Sequence, residues 1–122
     1  MKRPITICSG QFGDLPLEEL CRTMHEIGYD GLELACQSHI DVHKVLSDDQ
    51  YVADLKGTLE KYHMGLWAIS GHLIGQCVGD NWDPRLDNFV PAALAGKPEE
   101  IRAWAIDEMK CIVHAAQKLG VK

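Results

Sequence analysis

Short apolar runs alternate with longer amphipathic stretches along the chain. The runs at 5–8, 31–35 and 66–70 have the length of strands and are bounded by turn-forming residues. Between and after them, apolar residues recur at intervals of three and four, which places them on one face of a helix. The pattern therefore predicts three consecutive strand–helix units.

The first and last helices have clear boundaries in the sequence. The first is predicted to begin near Pro16, because proline suits the first helical turn, and to end at Gly28. The last is predicted to run from about 98 to 119. The positions predicted to be buried on these two helices are Leu17, Leu20, Cys21, Met24, Ile27, Ile101, Trp104, Ala105, Ile112, Ala116 and Leu119.

The middle of the chain is harder to divide. The second helix is predicted to begin after Ser47, because Ser47 and Gln50 have the spacing of a capping box, and to end at Gly65. Residues 37–43 are expected to be extended. The connection 75–97 shows little periodicity, and a loop of this length is usually a functional wall or lid.

Alternating strand–helix units imply a parallel sheet with right-handed crossovers. Gly120 follows the last helix in the way that Gly28 and Gly65 follow the first two, so Val121 is predicted to begin a fourth strand. We therefore expect an α/β fold whose sheet has two open edges, which is unusual for parallel strands.

Composition narrows the class of protein. The chain has 122 residues, of which 46% are hydrophobic and 25% charged, so one folded domain is expected rather than disorder. A formal net charge of −6 with scattered Lys and Arg argues against a nucleic-acid partner. No apolar run approaches the roughly 20 residues that cross a bilayer, so no membrane partner is expected. The five cysteines are dispersed, which is typical of reduced thiols and predicts a cytoplasmic protein.

Three segments carry a resemblance to a known family. They are Gly-Tyr-Asp-Gly-Leu-Glu-Leu at 28–34, Ile-Ser-Gly-His at 69–72 and Ala-Ala-Gln-Lys-Leu-Gly-Val at 115–121. In this order and spacing, the chain resembles the N-terminal part of the xylose-isomerase-like barrels, the sugar phosphate isomerases and epimerases. The resemblance implies an incomplete (β/α)₈ TIM barrel of three βα units and the start of a fourth strand, with 1–122 as the N-terminal part of one domain.

The resemblance also implies a function. Members of this family bind a divalent metal, often Mn²⁺, and isomerise or epimerise a sugar by metal-assisted proton transfer next to a carbonyl. Their metal ligands come from later strands, so this chain alone is expected to hold no metal and to be inactive. The expected partner is a small sugar, sugar phosphate or cyclitol, and a homo-oligomer is left open. Two alternatives also stay open: an endonuclease-IV-like metallo-nuclease, and a non-catalytic half-barrel that pairs with a second copy.

Alternation along the strands singles out two side chains. Glu33 should face away from Leu32 and Leu34, into a barrel interior, where we expect a neighbouring strand to hold its carboxylate; contact with the substrate is the alternative. His72 should end the third strand at the mouth of the barrel and face the same way as Ser70. An imidazole there can donate to sugar hydroxyls or move a proton near neutral pH, so His72 is the predicted catalytic residue.

Loops after the strands supply further substrate-binding candidates. His39, Asp41 and His43 would lie on one side of an extended segment, and His39 and Asp41 are predicted to line the substrate cleft. Gln11 and Phe12 follow the first strand, where members of the resembling family offer the sugar a polar contact and an aromatic wall.

Two tryptophans receive opposite predictions. Trp82, in the long connection, is predicted to stack on the sugar, because it would lie at the mouth of the barrel. Trp67 is predicted to belong to the core, on the side of the sheet that faces the helices.

Overall fold

A computed structural model of the protein describes residues 3–121. Its sheet has three parallel strands in the order β1-β2-β3, with β1 at Thr6–Cys8, β2 at Gly31–Ala35 and β3 at Gly65–Ser70. The predicted α/β class and the parallel pairing are confirmed. Within the described residues β1 and β3 each pair only with β2, so both outer edges of the sheet are open.

Five α-helices accompany the sheet. They are α1 (Leu17–Ile27), α2 (Val42–Ser47), α3 (Asp49–Lys61), α4 (His72–Gly79) and α5 (Pro98–Leu119). The bounds of α1 and α5 agree with the prediction, and both helices end at glycines in the left-handed conformation, Gly28 at φ 107° and Gly120 at φ 82°. Among residues 3–121 no helix has the length and apolar character that a membrane crossing requires.

A helix does start after Ser47, namely α3, but the predicted cap and the predicted end of the second helix are wrong. The cap of α3 is Asp48, whose carboxylate accepts hydrogen bonds from the amides of Gln50 and Tyr51. Ser47 is not the cap of α3, because it belongs to the preceding helix α2 and its hydroxyl donates to the carbonyl of His43 at 2.7 Å.

The turn after α3 also differs from the prediction. Gly65 is the first residue of β3, and the left-handed position belongs instead to His63 at φ 55°. At the other end of the chain, Val121 donates its amide to Ala116 at 2.9 Å and closes α5, as Tyr29 does to Met24 after α1; the predicted start of a fourth strand at Val121 stays a prediction.

The connection 75–97 is more ordered than predicted. Its first turn belongs to α4, and short 3₁₀ turns follow at Leu86–Phe89 and Ala92–Leu94. Leu86 packs with Cys77 of α4 and with Ile101 of α5 in a small second hydrophobic cluster, which attaches the connection to the helices.

The main core lies on one side of the sheet. Leu32 and Leu34 of β2 are fully buried and belong to one cluster with side chains of α1, α3 and α5, such as Leu20, Leu55 and Ile112. We call this the covered side. Most of the predicted helix positions face it, although Ile27 is 64% exposed and that prediction is wrong.

The other side of the sheet is called the cleft side. Strand register places Cys8, Glu33 and Ala68 next to one another there, with Ala35 beside Ser70 one step further along the strands.

Trp67 does not join the core, against the prediction. The pairing of β2 with β3 shifts between Leu32 and Glu33, so β3 contains one extra residue at Trp67. The indole is 49% exposed and lies over Gly31 and Gly65, where a Cβ on either glycine would collide with it. The extra residue therefore turns Trp67 away from the covered side.

Candidate functional site

A cleft of about 300 Å³ opens at the carboxyl ends of the three strands. Its lining comes from the last residues of β1 and β2, Cys8 and Ala35, and from the loops and helix after the strands, namely Gly10, Gln11, Gln37, Ser38, His72 and Leu73. The structure therefore brings two predicted site residues, Gln11 and His72, to one cavity. Ligands of parallel α/β sheets bind at this end of the strands, so the position is typical of a small-molecule site.

The position of His72 depends on the turn between β3 and α4. β3 ends at Ser70, and His72 is the first residue of α4 rather than the last residue of the strand. Gly71 lies between them against α5, and a Cβ there would come within 2.7 Å of Cδ1 of Ile112. A larger residue would push the turn away from α5, and His72 would move with it.

A buried hydroxyl orients the imidazole of His72. Oγ of Ser70 lies 2.8 Å from Nδ1 of His72, and Ser70 is only 7% exposed. The other ring nitrogen, Nε2, makes no hydrogen bond to any residue that the structure describes. His72 itself is exposed on the wall of the cleft, so Nε2 is available to a ligand.

A second buried hydroxyl holds the end of β1. Oγ of Ser9 accepts a hydrogen bond of 2.8 Å from the amide of Ala35, which fastens the end of β1 to the end of β2. A 3₁₀ turn at Ser9–Phe12 follows and places Gln11 on the cleft wall. Phe12 packs against the main core and does not line the cleft, so the structure does not give the cleft the expected aromatic wall.

Glu33 lies on the cleft side, two residues before Ala35, so about 7 Å below the cleft along β2. Its side chain is half-buried, and its carboxylate makes no hydrogen bond or ion pair within the described residues. The prediction that a neighbouring strand holds this carboxylate is therefore wrong. Register places Cys8 and Ala68 on its two sides, and neither offers a cation.

His39 and Asp41 occupy a second cavity, of about 390 Å³, on the other side of the loop after β2. His39 is buried, and its Nε2 donates to the carbonyl of Leu15 at 2.9 Å, which leaves the buried Nδ1 without a partner among the described residues. Gln37 and Ser38 line both cavities and separate His39 from His72. The structure therefore does not bring the two histidines to one site.

Residues 37–43 are not the extended segment that was predicted. The carboxylate of Asp41 caps α2 by accepting from the amides of His43 and Lys44, each at 3.1 Å. His43 turns to the carboxylate of Glu108 on α5, at 3.0 Å. Because α2 begins at Val42, the segment is not extended, although His39, Asp41 and His43 all line the second cavity.

Trp82 lines neither cavity. Its indole nitrogen donates to Oδ1 of Asp87 at 3.0 Å, and Oδ2 of the same carboxylate accepts from the amide of Gly96 at 3.0 Å. These two bonds tie the ends of the long connection together. The predicted stacking on a sugar stays a prediction, while the observed contacts of Trp82 are structural.

Several cleft residues were not among the sequence candidates, namely Cys8, Gln37 and Ser38 together with the Ser70 that supports His72. Alternation placed Ser70 beside His72 in the sequence, but nothing local to the chain indicated that its hydroxyl would be buried. Gln37 and Ser38 were not selected because the turn that leads into α2 was predicted to be an extended segment.

The described residues do not offer a metal site. Within 3–121 no three His, Cys, Asp or Glu side chains come together in a way that could hold an ion. No protein-family model matches the chain, and no curated protein matches it either.

Proposed function

We propose that this chain forms the first three βα units of a xylose-isomerase-like barrel and that its cleft binds a sugar during isomerisation or epimerisation. The observation that carries the proposal is the cleft itself. It lies at the carboxyl ends of parallel strands, where barrel enzymes hold their substrates, and it contains Gln11 and His72.

The topology supports a barrel over the other common parallel fold. The strands follow the chain in the spatial order β1-β2-β3, and side chains of α1, α3 and α5 share one core on the covered side. A doubly wound sheet instead reverses its strand order and places helices on both sides. Sequential order with helices on one side is what successive units of a barrel have.

The lining of the cleft suits a hydroxylated ligand. Gln11, Gln37, Ser38 and His72 supply neutral hydrogen-bonding groups, while Ala35 and Leu73 supply apolar surface. Sugars present hydroxyls and C–H faces that match such a mixture. His72 would donate a hydrogen bond from Nε2 to a sugar oxygen, while the carboxylate base for proton abstraction would come from outside this chain.

The divalent metal of the resembling family does not fit the described residues, since they contain no cluster of three ligand side chains. No chemical step of this chain's own residues is therefore assigned to a metal. The proposal limits these residues to binding and orienting the sugar and to donating a hydrogen bond to one of its oxygens.

The first test is the intact mass and metal content of the native gene product. A mass of roughly twice that of these 122 residues or more, as for a typical barrel of about 250 residues, would support the proposal. The second test incubates that product in D₂O with ketopentoses, ketohexoses and their aldose isomers. We expect deuterium to enter next to the carbonyl of at least one sugar, because proton abstraction exchanges that hydrogen with solvent.

Two variants connect the exchange to the cleft. His72→Gln should lower the exchange rate by about 10²-fold or more, the usual contribution of a positioned proton donor. His114→Gln is the matched control, because His114 is an exposed histidine on α5 and does not line the cleft. Absence of exchange with every sugar, or equal rates in both variants, would refute the assignment.

One observation favours a non-catalytic alternative. Trp67 is half-exposed and the described β1 and β3 have open edges, so a second copy could cover both. Concentration-dependent dimerisation in sedimentation, together with a native mass near that of 122 residues and no sugar binding, would favour a self-associating half-barrel.

A further inference from the structure

The contact between Ser70 and His72 determines more than the position of the imidazole. Oγ of Ser70 and Nδ1 of His72 are 2.8 Å apart, and this is the only hydrogen bond of the Ser70 hydroxyl to a described residue. The backbone carbonyl of Ser70 is engaged separately, by the amide of Cys36 at 2.9 Å. The hydroxyl is buried at the end of β3, where solvent has little access to it.

Two arrangements of the hydrogen atom are compatible with this distance. If the Ser70 hydroxyl donates to Nδ1, both the hydroxyl hydrogen and the lone pair of Nδ1 are satisfied. If Nδ1–H donates to Oγ instead, the hydroxyl hydrogen remains buried without an acceptor among the described residues. Buried donors without acceptors are costly, so the first arrangement is favoured.

The favoured arrangement settles which nitrogen of the neutral ring carries the proton. When Nδ1 accepts, the hydrogen of a neutral imidazole resides on Nε2. We propose that Ser70 is a positioning residue that keeps His72 in the Nε2–H tautomer, so that His72 donates a hydrogen bond to a substrate oxygen and does not act as the base. The part of this inference that concerns a substrate rests on the proposed function, whereas the tautomer does not.

The tautomer can be measured directly. Protein with ¹⁵N-labelled histidine would be studied by long-range ¹H–¹⁵N correlation at mildly alkaline pH, in order to observe the neutral ring. The signals of His72 would be assigned by their loss in His72→Gln. We expect a protonated Nε2 and an unprotonated, hydrogen-bonded Nδ1; a protonated Nδ1 in the unmodified protein would overturn the proposal.

Three serine variants separate positioning from a general effect on structure. Ser70→Ala should shift the Nδ1 signal and allow some Nδ1–H tautomer, while Ser70→Thr keeps the hydroxyl and should retain the original pattern. Ser9→Ala is the matched control, because it removes a buried hydroxyl that bonds the amide of Ala35 and not His72. An unchanged His72 spectrum in Ser70→Ala, or the same change in Ser9→Ala, would overturn the proposal.

Kinetics on the native gene product provide the second readout. With a sugar that exchanges in D₂O, Ser70→Ala should lower kcat about tenfold and leave KM within about twofold. The reason is that misorientation of the donor weakens its hydrogen bond in the transition state more than it weakens binding of the sugar. Ser70→Thr should recover the original kcat. Equal losses in Ser70→Ala and Ser9→Ala would contradict a positioning role. If no sugar exchanges at all, the proposed function fails, and the tautomer spectrum still decides the role of Ser70.

Discussion

The two sides of β2 differ in the interactions that stabilise them. On the covered side, Leu32 and Leu34 are completely buried among helical side chains. On the cleft side, Glu33 is half-buried without a partner among the described residues, and the neighbouring contacts are single hydrogen bonds, such as that of Ser9 with Ala35. The contrast indicates that burial of apolar area stabilises the sheet from one side, while the other side retains groups for chemistry.

The largest effect is expected when one side chain on each side of β2 is replaced and the free energies of unfolding are compared. Leu34→Ala should lower the free energy of unfolding by about 3 kcal/mol, because it leaves a cavity in a fully buried cluster. Glu33→Gln, one residue away, should change it by less than about 0.5 kcal/mol, because no hydrogen bond or ion pair of Glu33 to a described residue is lost.

Urea unfolding followed by circular dichroism measures both values. A Glu33→Gln protein as unstable as Leu34→Ala would mean that the carboxylate stabilises the sheet and that the comparison is wrong. A Glu33→Gln protein that is more stable than the unmodified one would strengthen the comparison, because it would show that the half-buried, unpaired charge of Glu33 destabilises the fold.

A smaller effect is expected where Trp67 lies on its two glycines. The three atoms nearest to a Cβ on Gly65 all belong to the ring of Trp67, whereas a Cβ on Gly31 would also collide with the backbone of Gly65. Gly65→Ala should therefore lower the free energy of unfolding by about 1–3 kcal/mol, and most of that loss should disappear in a Trp67→Ala background.

Gly31→Ala is the matched control for this pair. Its loss of stability should persist with Trp67→Ala, because backbone atoms of Gly65 still block the new methyl group. The three single and two double variants form two thermodynamic cycles that share Trp67→Ala, measured by the same urea unfolding. Additive effects of Gly65→Ala and Trp67→Ala would show that the indole does not rest on Gly65.

Trp67 also illustrates which parts of the fold could be predicted from the sequence. Leu20, Leu32 and Leu119 were placed correctly because helical and strand periodicities are local properties. Trp67 was not, because its side of the sheet depends on an extra residue in the pairing of β3 with β2, which a single strand does not reveal.

The candidate site divides in the same way. His72 and Gln11 could be predicted to share the cleft, because both follow strands of a parallel sheet. His39 could not be excluded from it, because its burial depends on a carbonyl at Leu15, distant in sequence. The helix α2 was missed because it has only six residues between its own cap, Asp41, and the cap of α3, Asp48. A segment this short shows no helical periodicity, so it was interpreted as a loop before a single helix.

The smallest effect on the fold is expected from thiol chemistry, which compares the two sides without a mutation. Cys21 is fully buried on the covered side, and this burial, with a lesser contribution from the charge of Glu18, raises its pKa from 9.0 to about 11. Two pKa units leave about 100-fold less thiolate at neutral pH. Cys8 is partly exposed on the wall of the cleft. Because Cys21 is both buried and poor in thiolate, iodoacetamide should modify the partly exposed Cys8 much faster than Cys21, as followed by peptide mass spectrometry.

The pH dependence gives this experiment its internal check. Since the folded thiol of Cys21 ionises near 11 and the unfolded thiol near 9.0, its contribution to stability is complete below about pH 9 and is lost as the pH rises toward 11. Alkylation of Cys21 should accelerate over that interval, and in urea the difference from Cys8 should vanish. Equal rates for Cys8 and Cys21 at neutral pH without urea would mean that the covered side opens as readily as the cleft, and burial would then no longer distinguish the two sides of β2.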